Sequence, residues 1–223
     1  MNLSAHKVAR RAMVENQLRA NQVDDPRVIA AFSAIPREAF AGGKAHSLAY
    51  ADTSLPLGDG RFLCEPRVLA RLLTAARVQI GDVGLDLCCA GGYTTALLAW
   101  LSAFAVGVEN AGAFADAARR ALEDLEVSNA FISESPPAEG CPAHAPYDVI
   151  VLAGGVREVP RAVLEQLSEG GRLVTVLLRD NAAAGEGVAT LYARHGSRFP
   201  SRALFDATLP PLDEFAAAPE FIF

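Results

Sequence analysis

Between Val83 and Leu178 the chain alternates short apolar runs with stretches whose apolar residues recur every three or four positions. The runs predict strands at Val83–Leu87, Phe104–Glu109, Ala130–Ser133, Tyr147–Leu152 and Gly171–Leu177, and the periodic stretches predict helices at Tyr93–Leu101, Ala113–Leu125 and Arg161–Leu167. Strands that are apolar on both faces and alternate with helices imply a mostly parallel, doubly wound α/β sheet covered on both sides. Upstream, Ser4 caps a helix through about Asn21, and Asp24-Asp25-Pro26 starts a second, with acidic caps and a proline at the first helical position. Pro66 opens an amphipathic helix to about Ala76 that lines up Val68, Leu69, Leu72 and Leu73. Between these lies Ala49 to Pro66, "AYADTSLPLGDGRFLCEP", which reads as a long irregular loop, more often functional than filler in a compact domain. After Leu178 the rhythm changes. "RDNAAAGEG" predicts a hairpin turn between Leu173–Leu178 and Val188–His195, "SRALFDATLP" one more strand, and "LPPLDEFAAAPEFIF" an extended cover that packs Phe215, Phe221 and Phe223 on the surface.

At 223 residues the chain is long enough for one domain with a sizeable core. It divides into N-terminal helices (1–48), a loop suited to substrate (49–66), a cofactor-binding core (67–178) and C-terminal antiparallel strands with a tail (179–223). A net charge of −6 gives no general attraction to phosphate backbones or anionic lipid, so neither nucleic acid nor membrane is expected as a partner. The N-terminus intersperses charges at helical spacing, unlike a secretory signal, and the longest apolar run, Ala96 to Val108, is too short to span a bilayer. It reads instead as a buried helix end leading into a buried strand. The four cysteines form no C-x-x-C pair and the four histidines show no metal-ligand spacing, which points to a reduced, cytoplasmic, metal-free protein. Cys88, Cys89 and Cys141 read as small buried hydrophobes. Oligomeric state leaves no mark in the sequence.

The chemistry concentrates in "VGLDLCCAGGYTTALLAWL", Val83 to Leu101, a strand, a small-residue turn and an apolar helix. Ligands of doubly wound sheets sit beyond the carboxyl ends of the strands, where the first strand-to-helix turn comes closest. Asp86 falls near the end of this strand and Glu109 at the end of the next, where a carboxylate can accept two hydrogen bonds from ribose hydroxyls. A nucleoside ligand fits that pairing. A dinucleotide does not, because the turn lacks the G-x-G-x-x-G pattern and no second mononucleotide half follows.

The order "IPREAF", "AYADTSLPLGDGRFLCEPRVLARLL", "GLDLCCAGGYTTALLA", "GVEN" and "APYDVIVLAGGVREVPRAVLEQLSEGGRLV", covering about Ile35 to Val174, resembles the protein-L-isoaspartate O-methyltransferase family segment by segment. The resemblance implies a Rossmann-like class I methyltransferase fold, S-adenosylmethionine as cofactor, and isoaspartyl proteins or peptides as substrates whose abnormal carboxyl group is esterified for repair. It places the cofactor against Asp86, Cys88, Ala90, Gly92 and Glu109, and the substrate against Gly60, Arg61, Phe62, Leu63 and Cys64, with Cys64 and Asp86 nearest the reacting atoms. Three of these segments depart from the family. The turn's Gly-x-Gly-x-Gly becomes Cys88-Cys89-Ala90-Gly91-Gly92, keeping the third glycine alone. The Gly-Asp-Gly adenine loop aligns with Ser135-Pro136-Pro137, leaving Glu134 or Glu139 as the nearby carboxylates. The substrate loop's Gly-Gln-Thr-Ile-Ser becomes Gly60-Arg61-Phe62-Leu63-Cys64, which replaces a serine hydroxyl with a weaker thiol donor and adds an arginine that either pairs with a carboxylate or is solvated. Three readings follow: an isoaspartyl carboxyl methyltransferase, a methyltransferase with a different acceptor, and a degenerate relative that serves as a binding or regulatory module.

Overall fold

The structure, a computed structural model, describes residues 3–180 and 185–216. Helix α1 (Leu3–Met13) runs on through a π-helical turn at Val14–Leu18 and a 3-10 turn at Arg19–Asn21, so the stretch expected to be helical through Asn21 is helical in three geometries. Asp25 caps α2 (Pro26–Ala34) by accepting hydrogen bonds from the backbone N–H groups of Arg27 at 2.8 Å and Val28 at 3.3 Å. The segment from Ala49 to Pro66 is more ordered than an irregular loop. It contains a hairpin of β1 (Leu55–Gly58) and β2 (Arg61–Leu63), with Leu55 paired to Leu63 and both buried. The reason is local: Asp59-Gly60 form a two-residue turn, φ 47° and 71°, the conformation that an Asp-Gly pair favours and that matches strand twist.

Pro66 begins α3 (Pro66–Ala76), whose Val68, Leu69, Leu72 and Leu73 are buried as their spacing predicts. The alternation then runs β3 (Val83–Leu87), α4 (Tyr93–Leu101), β4 (Phe104–Glu109), α5 (Gly112–Asp124), β5 (Ala130–Glu134), β6 (Tyr147–Val156), α6 (Arg161–Leu164) and β7 (Leu167–Leu178). Two antiparallel strands, β8 (Glu186–Ala193) and β9 (Ser201–Thr208), complete a sheet of order β5-β4-β3-β6-β7-β8-β9. Strands β3 to β7 pair in parallel. Successive residues face opposite layers. Val149 and Val151 join the core beneath α1 to α4, while Ile150 and Leu152 join Leu85, Leu87, Val106 and Val108 on the other side.

Chain order reverses at β3, which has β4 and β5 on one side and β6 and β7 on the other, so a crevice opens beyond the carboxyl ends of β3 and β6. The tail closes over it. Backbone hydrogen bonds from Gly155 N to Pro210 O and from Leu212 N to Gly155 O, both 2.9 Å, strap residues 209–215 across the end of β6. Leu212 sits where any Cβ on Gly154 would be. Phe215 is buried and not laid on the surface, whereas Phe221 and Phe223 lie outside the described residues.

Candidate functional site

The turn after β3 takes the shape that glycines would give it, without two of the glycines. Cys88 and Ala90 have φ of 56° and 47°, a left-handed conformation that costs an ordinary side chain roughly 1–2 kcal/mol. Hydrogen bonds hold it there: Cys89 N donates to Val108 O at 3.0 Å and Gly92 N to Cys89 O at 2.8 Å. Gly92, at φ 91°, starts α4, and a Cβ there would lie 3.0 Å from the Ala118 Cβ, so this glycine is needed for close approach as well as for backbone angle. Asp86 is buried below the turn, where its carboxylate accepts a hydrogen bond from the Thr95 hydroxyl at 2.7 Å. Desolvation pushes its pKa up to about 7, with Glu109 adding repulsion and the Thr95 bond opposing the rise.

Glu109, with no exposed surface, has both carboxylate oxygens engaged. The backbone N–H of Ala90 donates to Oε2 at 2.9 Å, and those of Asn110 and Ala111 donate to Oε1 at 3.0 and 3.1 Å. The remaining capacity is taken by Arg61 from β2: its Nε lies 3.0 and 2.8 Å from the two oxygens, and its Nη2 lies 2.8 Å from Oε1. Arg61 is 4% exposed, so it is neither a solvated loop residue nor free to meet a substrate carboxylate. The same Nη2 donates to Asn110 Oδ1 at 2.7 Å and to Glu214 of the tail. Burial by itself would lower the arginine's pKa, but the hydrogen bonds it donates to Glu109 and Glu214 raise it above the ordinary value. Burial would likewise raise Glu214, yet the bond from Arg61 holds it below the usual carboxylate range.

Most of the residues expected at the site converge on one cleft. Arg61, Phe62, Leu63, Cys64, Asp86, Cys88 and Ala90 line it together with Tyr93 and Leu212, and its void is about 20 Å³, about the room for one water. Gly60 is set apart in the hairpin turn, and Gly92 stands behind the cleft at the start of α4. Beyond Gly91 a groove of about 500 Å³ opens between Phe40, Leu57 and Phe114. Ser135 meets the site through its backbone, donating to Glu109 O at 3.1 Å, while Glu134 turns to Arg119 at 3.5 Å. The Cys64 thiol is buried, contacts the Glu65 carbonyl oxygen at 3.6 Å, and has a pKa pushed up to about 12 by that burial. It is a protonated donor and a poor nucleophile. Arg37, fully buried, clamps this end of β2 by donating to the carbonyls of Ala49 at 2.6 Å and Cys64 at 2.5 Å, with its guanidinium 5.0 Å from the Tyr93 ring centre. Sequence reasoning singled out the turn, Glu109 and the hairpin residues, which the structure brings together. It missed Arg37, Asn110 and Glu214, the last because its contact spans 153 positions.

Among the described residues no helix is long and apolar enough to cross a membrane, and no group of His, Cys, Asp and Glu side chains could hold a metal ion. Sheet order, turn and strand-end carboxylate define a class I methyltransferase fold. Two solved structures share it. One described as a protein-L-isoaspartate O-methyltransferase superposes with a TM-score of 0.79 at 22% identity, covering 93% of this chain and 67% of its own. Another so described, from Plasmodium falciparum in complex with S-adenosyl-L-homocysteine, gives 0.77 at 19% identity, covering 92% and 98%. At the level of sequence, residues 8–184 match the family model for protein-L-isoaspartate(D-aspartate) O-methyltransferase. Relatives bearing that name include proteins from Rhodopseudomonas palustris (strain HaA2), 37% identical over 78% of this chain and 71% of its own, and from Koribacter versatilis (strain Ellin345), 37% identical over 78% of each. The chain belongs to the protein-L-isoaspartate O-methyltransferase family.

Glu109, behind the cleft lining at Ala90 and Arg61, suits the nucleoside of S-adenosylmethionine, since it has two acceptor oxygens oriented by fixed backbone donors. The room does not. Small-molecule pockets enclose roughly 300–1,000 Å³, and the cleft that Arg61 and Leu212 line leaves about 20 Å³.

Proposed function

We propose that the chain is a carboxyl O-methyltransferase of the isoaspartate-repair type, which uses S-adenosylmethionine and acts on isoaspartyl proteins or peptides. The observation that carries this reading is Glu109, a buried carboxylate at the end of β4 with its oxygens aimed by Ala90, Asn110 and Ala111 beside the first strand-to-helix turn. With Arg61 displaced, Glu109 would hold the ribose hydroxyls, and Asp86 and the Cys88–Gly92 turn would face the rest of the nucleoside. The bound cofactor supplies an electrophilic methyl group. An acceptor carboxylate with a pKa near 4 is already ionised at neutral pH, so the chain need only align one oxygen, and a general base is superfluous. Cys64 suits that task as a neutral thiol, because a thiolate beside an anionic acceptor would repel it. Arg37 keeps the Leu63–Cys64 backbone in place for the acceptor.

The test is transfer of a labelled methyl group from S-adenosylmethionine to a synthetic isoaspartyl peptide, with the matching aspartyl peptide as control. Base-labile label on the isoaspartyl peptide alone is expected. Binding of S-adenosylhomocysteine without such transfer would assign a different acceptor, and absence of both would remove the reading.

A further inference from the structure

Three chain segments far apart in sequence meet over Glu109: the turn at Ala90, the hairpin strand carrying Arg61, and the tail carrying Leu212 and Glu214. Arg61 presents the fork of its guanidinium to both oxygens of Glu109, in the place where two ribose hydroxyls would donate. Glu214 grips the same guanidinium from above, and Leu212 enters the cleft beside Ala153 over Gly154. The occupancy is complete in two senses: the carboxylate has no free oxygen, and the space left is the size of a water.

We propose that Arg61 and the Leu209–Phe215 segment form a latch in cis that occupies the nucleoside site, so that cofactor and latch compete for Glu109. The inference rests on Glu109 being the ribose carboxylate of the proposed function. Each element of the latch lies outside the seven-stranded sheet. Arg61 rides on a three-residue strand of a two-stranded hairpin, and the tail follows the last strand, held to β6 through Gly155 and, at its first residue, by the bond from Leu209 N to Gly185 O at 3.0 Å. Opening must separate a buried, charge-assisted fork and withdraw a buried leucine, whereas binding restores bonds to the same carboxylate. Apparent affinity is then the intrinsic affinity scaled by the fraction of molecules with the latch open. A partner or substrate that draws the tail or the hairpin away would raise cofactor affinity by the same coupling.

The experiment compares S-adenosylhomocysteine binding by calorimetry in the unaltered chain, Arg61→Gln and Glu214→Gln, alongside hydrogen exchange of residues 209–215 with and without that ligand. Both variants are expected to bind at least tenfold more tightly, equivalent to about 1.4 kcal/mol, and ligand is expected to speed exchange in the tail of the unaltered chain. Should Arg61→Gln fail to fold, Glu214→Gln carries the comparison, since it loosens the tail and leaves Arg61 on Glu109. Equal or weaker binding by the folded variants, or a tail that stays protected in the complex, overturns the latch and leaves the cofactor reading standing. If neither the unaltered chain nor any folded variant binds at millimolar ligand, the nucleoside reading of Glu109 fails and the latch falls with it.

Discussion

Asp86 and Ala90 show how far individual side chains depart from what a lone residue would choose. Asp86 is a carboxyl group kept largely dry, its pKa raised by desolvation to about 7 from an ordinary 3.8. Below about pH 4 both folded and unfolded chains carry the proton, and the residue is neutral toward stability. As pH rises from about 4 to about 7 the unfolded state has released it and the folded state has not, so stability falls, by about 4 kcal/mol in all. Asp86→Asn should abolish that slope. Urea midpoints at about pH 5 and about pH 8 check it, and parallel losses in parent and variant would mean that Asp86 ionises freely in the fold. Ala90 is a matter of backbone. Relief of a left-handed alanine is worth roughly 1–2 kcal/mol, of which the greater freedom of an unfolded glycine returns about 0.4–1 kcal/mol. Ala90→Gly should therefore gain about 0.5–1 kcal/mol by chemical denaturation, and a loss would show that the methyl's packing outweighs the strain.

At the scale of elements, the hairpin β1–β2 and the tail are tied to the sheet through one guanidinium. Removing one partner of a buried ion pair leaves an uncompensated charge, typically a cost of about 3–5 kcal/mol. Arg61→Ala should lose that much at neutral pH, well above the effect of an exposed pair such as Arg161 with Glu165. Equilibrium unfolding measures it, and a loss below about 1 kcal/mol would mean that Glu109 is already satisfied by backbone donors. These elements also mark where sequence pattern stops informing. The start of α3 and the limits of β3, α4 and β4 follow from a proline at N1, apolar periods and a small-residue turn, signals confined to a few neighbouring residues. The hairpin escaped notice because its strands are short and carry proline and glycine, although Asp59-Gly60 is a turn signal in its own right. Strand β7 begins at Leu167, ahead of Gly170-Gly171, residues whose preference for turns hides the pairing of Leu167 with Tyr147. The site divides in the same way. Asp86, Glu109 and the turn could be placed because topology puts strand ends there. Glu214 could not, because its partner is reached only after the whole sheet has been laid down.

For the molecule as a whole, the latch makes the ligand-free state more stable than an open cleft would be, and the same contacts oppose ligand. Stability and affinity are then set against each other through Leu212, which is buried in the cleft and touches neither Glu109 nor Arg61 by hydrogen bond. Leu212→Ala should lower ligand-free stability by about 2–4 kcal/mol, as for a leucine truncated in a packed core. Yet the variant should gain more from ligand. At a concentration about 100 times the dissociation constant of the unaltered chain, S-adenosylhomocysteine adds about 2.7 kcal/mol, a midpoint rise on the order of 5–10 °C for a domain of this size. The variant, meeting the same concentration with a smaller apparent dissociation constant, should show a lower starting midpoint and a larger rise. Thermal unfolding across a ligand series reads both quantities at once. A lower start with an unchanged rise would make Leu212 a core residue and nothing more, because a side chain that merely packs the sheet alters stability with and without ligand equally. Opposite movement of the two requires that ligand and tail exclude each other from one cleft.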